Sequence, residues 1–220
     1  MKREIVITND GSVTIYLPDM DENYHSRYGA IQEAYHVFIK NGLALTEGRP
    51  ISVLEIGFGT GLNCFITYLE SLKSGQHIDY TGVEAYPVEQ EMITQLNYVS
   101  QLDANYKQAV FDAMHNAVWG EKMQLTEQFS LTKRQQLFQD INDSEAFDLI
   151  YFDAFGYPTQ PELWSEEIFA KMYAALKSEG VLVTYACRTV IKKAMMSAGF
   201  SVKKVPGPPG KREMLVAFKG

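Results

Sequence analysis

From residue 51 onward, short apolar runs alternate with stretches of helical spacing. Ile51 to Ile56, Tyr80 to Val83, Phe147 to Phe152 and Val181 to Tyr185 each read as a strand buried on both faces, and Cys64 to Leu72 reads as a helix between the first two. That alternation predicts a parallel sheet with helices on both faces, an α/β architecture. Two further strands, near Phe200 to Lys204 and Met214 to Phe218, are separated only by Pro206-Gly207-Pro208-Pro209-Gly210, a connection too short for a crossover. They are expected to pair antiparallel. Ahead of this core, β-branched residues flank Asp10-Gly11 between Ile5 and Tyr16, which predicts a hairpin. Ile31, Ala34, Tyr35 and Phe38 then share one face of a predicted helix from Ile31 to Asn41, ended by Gly42. Between Leu96 and Lys133 neither period dominates, and the segment reads as an irregular excursion leading to a strand around Phe129 to Leu131. The chain is thus expected to form one domain, with an extension over residues 1–48 and a core over 49–220.

The composition, 46% hydrophobic and 21% charged over 220 residues, belongs to an ordinary globular chain. No run approaches the ~18 apolar residues of a membrane span, and Met1-Lys2-Arg3-Glu4-Ile5 lacks a signal's apolar stretch, so a cytoplasmic protein without membrane partners is expected. Cys64 and Cys187 have no metal-ligand spacing to each other or to the four histidines; reduced, structural thiols and no metal are expected. The net charge of -7 argues against a nucleic-acid partner, but it is unevenly spread. Cys187 to Gly220 carries eight basic residues against Glu213 alone, +7, which leaves -14 on the rest. Such a run is equally a solvated face or a phosphate-contacting one.

The first strand runs into Glu55-Ile56-Gly57-Phe58-Gly59-Thr60-Gly61-Leu62-Asn63 and then a helix. Glycines at such a turn let a ligand approach the main chain. The spacing is Gly-x-Gly-x-Gly and not the Gly-x-Gly-x-x-Gly on which a pyrophosphate rests. S-adenosylmethionine, which has no phosphate, fits better: Glu55 is placed for its amino-acid end, and Glu84, about 23 residues beyond the last glycine, for both ribose hydroxyls. Asp153 closes the strand Phe147 to Phe152 and should face the same crevice, where a carboxylate can orient an attacking amine, accept its proton or favour a sulfonium. Phe155, Tyr157 and Trp164 follow; each is as much a core residue as a platform for a base.

Together these segments resemble the methyltransferase family that completes 5-methylaminomethyluridine at the tRNA wobble position, the amino-terminal half of the bifunctional enzyme MnmC. The resemblance runs nearly end to end. It rests on Tyr24-His25-Ser26, Gly29-Ala30-Ile31-Gln32-Glu33 and His36-Val37-Phe38, then on Leu54 to Asn63 and Gly82-Val83-Glu84-Ala85-Tyr86-Pro87. It continues through Phe152-Asp153-Ala154-Phe155, Pro161-Glu162-Leu163-Trp164, Thr184-Tyr185-Ala186 and Lys211-Arg212-Glu213-Met214-Leu215. It implies a class I, Rossmann-like methyltransferase fold and methyl transfer from S-adenosylmethionine to the primary amine of 5-aminomethyluridine. On this reading the cofactor contacts are Glu55, Gly57, Phe58, Gly59, Thr60, Gly61, Asn63, Glu84, Ala85 and Asp153. Asp153 is also the catalytic residue; Phe155 and Trp164 would meet the substrate base, and Lys211 and Arg212 the anticodon region of tRNA. The chain departs from the family at Thr132-Lys133, where Gly-Asp usually lies near the adenine, and at Ala186-Cys187-Arg188-Thr189-Val190, which lacks a usual glycine. The flavin-dependent half has no counterpart, so no FAD is expected. Methylation of a small-molecule or protein amine stays open as the alternative on the same scaffold.

Overall fold

The structure, a computed structural model, describes residues 2–220. Its centre is an eight-stranded sheet built from β4 (Ile51–Ile56), β5 (Ile78–Glu84), β6 (Lys122–Thr126), β7 (Phe129–Gln135), β8 (Phe147–Phe152), β9 (Leu176–Thr184), β10 (Ser201–Pro206) and β11 (Glu213–Phe218). The spatial order is β10-β11-β9-β8-β4-β5-β7-β6. The five strands from β9 to β7 run parallel, whereas β11 inserts antiparallel between β9 and β10, and β6 pairs antiparallel on the far edge. The expected mostly parallel sheet with an antiparallel C-terminal strand is what the chain forms.

Period-two alternation assigns each central strand's side chains to two cores. Val53, Tyr80, Leu149 and Tyr151 face α2 (Leu62–Ser74) and α5 (Gln108–Asn116), while Leu54, Ile56, Ile150 and Phe152 face α6 (Glu166–Ala175) and α7 (Thr189–Ser197). Because β4 and β8 are covered on both faces, their sequences are unbroken apolar runs apart from Ser52, Glu55 and Asp148. The chain leaves β4 on one side and returns to its other side as β8, so a crevice opens beyond the carboxyl ends of these two strands. Asp153 N donates to Ile56 O at 2.9 Å, which joins the two strand ends directly.

The extension forms a separate three-stranded antiparallel sheet, β1 (Glu4–Ile7), β2 (Val13–Leu17) and β3 (Glu22–Asn23), followed by α1 (Ala30–Ala34). The predicted single helix here is α-helical only to Ala34 and continues over Tyr35–Lys40 as a wider π-helical turn. Val13, Ala30, Val37 and Phe38 lie in the same core as Phe65 and Tyr151, so the extension is packed onto the central sheet.

Two boundaries differ from the sequence reading. After the short α3 (Gln90–Ile93), the stretch from Leu96 contains α4 (Tyr98–Gln101) and α5, whose inward residues Phe111 and Met114 make too short a repeat to stand out among Gln108, Asp112 and His115. β9 begins at Leu176, five residues before Val181, because Lys177 to Gly180 form a polar, register-shifted start to the strand. Among the described residues no helix is long and apolar enough to cross a membrane. Cys64 and Cys187 are both free.

Candidate active site

Two cavities meet at the carboxyl ends of β4 and β8. The larger, about 330 Å³, is bounded by Gly57 and Gly59 after β4, Glu84 and Ala85 at the end of β5, and Asp153 and Phe155 after β8. Its size falls at the lower end of small-molecule sites. Gly57 has φ 90, and a β-carbon there would lie 2.5 Å from Asp153 O, so only glycine lets the β4 and β8 loops touch. Gly82 is constrained by bulk: a β-carbon would come within 2.3 Å of the Phe58 ring, which is buried under the turn.

The polar groups on this wall are tightly held. Glu84 Oε2 accepts from Gly59 N at 3.0 Å and its Oε1 from Tyr86 N at 2.9 Å, which fixes the carboxylate at the rim with further lone pairs open to a diol. Asn63 Nδ2 donates to both Glu55 Oε1 and Asp153 Oδ2, each at 2.9 Å, while the buried Asn63 Oδ1 has no partner. Asp153 lines both cavities, and its Oδ1 is not taken up by a hydrogen bond within the protein. Burial, reinforced by the charge of Glu33, pushes the Asp153 carboxyl up to about 7 against the opposing Asn63 hydrogen bond and Lys211 charge. Burial pushes His25 down to about 4, so its imidazole is neutral; it bonds Thr60 Oγ1 at 2.9 Å.

The second cavity, about 260 Å³, shares Tyr24, His25, Asp153 and Phe155 with the first and continues to Glu33, Tyr185 and Lys211. Tyr24 meets Phe155 edge-on at 5.2 Å and 89°, forming the partition between the two. Asp153 therefore stands where two ligands would touch.

The structure sorts the residues singled out from sequence. Gly57, Gly59, Glu84, Ala85, Asp153 and Phe155 reach the larger cavity. Glu55, Phe58, Thr60, Gly61 and Asn63 do not line it and form its backing. Glu55 is fully buried, with its second oxygen on Tyr80 Oη at 2.9 Å, and it reaches the site only through Asn63. Trp164 is no stacking platform: it is 1% exposed, and its Nε1 donates to Phe155 O at 2.8 Å, so it holds Phe155 in place. Lys211 is no free phosphate ligand; it is ion-paired with Glu33 and lies over the Tyr185 ring. Arg212 is exposed beside it.

Thr132 and Lys133 lie inside β7 and not after it. Lys133 turns inward, where burial lowers its ammonium to about 8 and Nζ donates to His115 O at 2.6 Å. Beyond the true strand end the wall is Leu137, Phe138 and Gln139, an apolar surface suited to an adenine. The residues missed in sequence are these three together with Tyr24, His25 and Glu33. Tyr24-His25-Ser26 was visible as a matching string, but nothing local to it shows that it closes a cavity over the glycine turn.

Comparison with known proteins bears directly on this geometry. A family model for S-adenosyl-L-methionine-dependent methyltransferases matches residues 98–220. The chain belongs to this methyltransferase family. The methyltransferase is 31% identical over 219 residues to the tRNA 5-methylaminomethyl-2-thiouridine biosynthesis bifunctional protein MnmC of Paraburkholderia xenovorans, covering 92% of this chain and 33% of that one. It is 27% identical over 231 residues to the MnmC protein of Cupriavidus metallidurans, covering 97% and 33%. It thus spans about a third of the length of the curated relatives it matches. Its fold is similar to the crystal structure of MnmC2 from Aquifex aeolicus, with a TM-score of 0.75, 22% identity, and coverage of 98% of this chain and 70% of that one.

S-adenosyl-L-methionine is the methyltransferase's cofactor, and the larger cavity fits it on chemical grounds. A fixed carboxylate at Glu84 suits the ribose diol, Leu137 and Phe138 suit the adenine, and the Asp153 carboxyl on the same wall suits a cationic amino or sulfonium group. Among the described residues no free cation lining this cavity opposes a sulfonium: His25 is neutral, and Arg3 is engaged by Glu89 and by the carbonyls of Tyr86 and Pro87.

Proposed function

We propose that this methyltransferase acts on the primary amine of 5-aminomethyluridine, with or without the 2-thio group, at the tRNA wobble position and yields 5-methylaminomethyluridine. The observation that carries the reading is the position of Asp153, shared by the cofactor-sized cavity and by a second cavity lined with aromatic rings and carboxylates. The relatives named for 5-methylaminomethyl-2-thiouridine biosynthesis supply the substrate class.

Bound S-adenosyl-L-methionine supplies a methyl group already activated on a sulfonium, so the chain's task is to place a neutral nitrogen in line with it. Asn63 fixes Asp153 Oδ2, which leaves Oδ1 to orient the amine and take the proton it loses. A carboxyl titrating at about 7 is ionised in a large fraction of molecules near neutral pH and accepts that proton more readily than an ordinary aspartate. Phe155, held by Trp164 and Tyr24, forms a flat wall for the base. Arg212 and Arg188, both exposed, line a neighbouring surface hollow that shares Gly156, Tyr185 and Lys211 with the second cavity, and supply phosphate contacts there.

The test is transfer of labelled methyl to tRNA carrying 5-aminomethyluridine, beside fully modified tRNA and an Asp153→Asn control. Label confined to the hypomodified tRNA and lost with Asp153→Asn is the expected result. Equal label in fully modified tRNA, or transfer only to free amines, would remove the RNA reading and favour a small-molecule or protein acceptor.

A further inference from the structure

The second cavity already holds a cation, and it belongs to the chain. Lys211 follows the Pro208-Pro209-Gly210 turn between β10 and β11, and its Nζ reaches back to pair with Glu33 from α1, 3.9 Å above the centre of the Tyr185 ring. Glu33 is only 7% exposed, and its other oxygen accepts from Ser26 N at 2.9 Å, so the carboxylate is fixed before anything binds. The Tyr185 hydroxyl donates to Ala154 O at 2.8 Å, which fixes the ring. A buried carboxylate beside an aromatic face is a receptor for an alkylammonium.

This receptor opens onto Asp153, the residue the proposed reaction needs next to the acceptor nitrogen. Three carboxyl groups line this one small cavity, Glu22, Glu33 and Asp153, and their charges repel one another unless a cation joins them. Lys211 supplies that charge in the free protein, and an aminomethyl group protonated at neutral pH would supply the same charge in the same place.

We propose that Lys211 is an internal stand-in for the acceptor's ammonium: it fills the Glu33–Tyr185 site until the aminomethyl group displaces it. The inference rests on the amine-acceptor reading above and adds that Glu33 is the residue which first receives the acceptor as a cation. Proton transfer to Asp153 then follows within one cavity, with the proton moving from the acceptor nitrogen to a carboxylate oxygen. Lys211, one third exposed, swings outward toward the solvent side of the cavity, where an RNA phosphate can meet it.

The probe is the nucleoside 5-aminomethyluridine, with uridine as the uncharged control, titrated against the full chain. Because the resident competitor is gone, Lys211→Met tightens aminomethyluridine binding by the reciprocal of the fraction of molecules in which the site is free, about tenfold for a free fraction of about one in ten. Glu33→Gln weakens it by about the same factor, and uridine binding is unmoved in both. Weaker or unchanged binding by Lys211→Met, or unchanged binding by Glu33→Gln, overturns the proposal.

Lys211→Met leaves Glu33 unpaired and can impair folding, so the wild-type protein provides a second measurement. Reductive methylation of Lys211, read by mass spectrometry, is expected to rise several-fold at saturating aminomethyluridine; protection or no change overturns the proposal. Failure of methyl transfer to tRNA alongside these two results would remove the RNA reading and leave the cation site standing. Normal transfer to tRNA without them would do the reverse.

Discussion

Replacement of Asp153 by asparagine should disable the reaction while stabilising the fold, and the size of the gain follows from the site. A carboxyl held at about 7 instead of near 4 carries an ionisation penalty of roughly 4 kcal/mol in the folded state. Asp153 is only partly shielded by the cavity wall, and water entering the cavity lowers the expected figure to about 2 kcal/mol. The sign is fixed by linkage: the folded chain binds this proton more tightly than the unfolded chain. The penalty is therefore absent below about pH 4, where both states are protonated, grows as the pH rises toward 7, and is complete above it. Asparagine keeps the shape and an oxygen for Asn63 Nδ2 but never ionises. Urea unfolding of both proteins from pH 4 to 9 should give coincident midpoints at the acid end and a gap of about 2 kcal/mol favouring the variant at pH 8, with equal slopes. Methyl transfer by the same variant should fall at least about a hundredfold. A variant no more stable than wild type at pH 8, or a gap that does not change with pH, would refute the argument that burial and Glu33 hold this carboxyl up.

Three other perturbations test the frame around the site. Gly57→Ala forces a β-carbon against Asp153 O at positive φ, so it should abolish cofactor-induced thermal stabilisation and lower stability by about 2 kcal/mol or more; a normal thermal shift with cofactor would contradict it. Trp164→Phe removes the donor to Phe155 O and part of a fully buried ring. It should cost about 2 kcal/mol in urea unfolding and raise KM for the acceptor more than for the cofactor, whereas equal effects on both would mean that Trp164 acts on stability alone. Asp148, at the opposite end of β8, is pushed up by burial, but Lys177, the Ser52 amide and Arg49 outweigh this and hold its carboxyl below the usual range. Its contribution is present above about pH 4 and lost as the pH falls further. Asp148→Asn should cost about 1–2 kcal/mol at pH 7 and flatten the acid limb of stability, and an unaltered acid limb would exclude that role.

What could be read from the sequence is what is decided locally. β4 and β8 were legible to the residue because strands covered on both faces must be apolar throughout, and their ends carry the glycine turn and Asp153 within a few positions. β9 was read short because its polar start lies at the sheet's edge of burial, where composition resembles a loop. Thr132-Lys133 falls after a strand only by the family resemblance, and the fold shows instead that the Lys133 ammonium is taken up by the His115 carbonyl and the Trp119 ring, so that β7 continues to Gln135. Trp164 meets the Phe155 carbonyl and Lys211 meets Glu33, and the sequence says nothing about which of two neighbouring groups a side chain will meet first.

The difference between the two cavities follows the same division. The cofactor side is built largely from the loops that follow β4, β5 and β8, so its polar residues come in short strings that can be recognised one at a time. The second cavity, the proposed acceptor side, draws on Tyr24, His25 and Glu33 from the extension, Asp153 from the sheet and Lys211 from the far end of the chain. Each of these meets a partner from another segment: His25 meets Thr60, Tyr24 meets Phe155, Asp153 meets Asn63 and Glu33 meets Lys211. A ligand shared by a whole fold can be held by contiguous loops, whereas acceptor specificity is grafted onto that fold from wherever the chain passes. The extension is accordingly a wall of both cavities and not an ornament on the sheet, because Tyr24 and His25 close them over Asp153, whose raised proton affinity depends on burial.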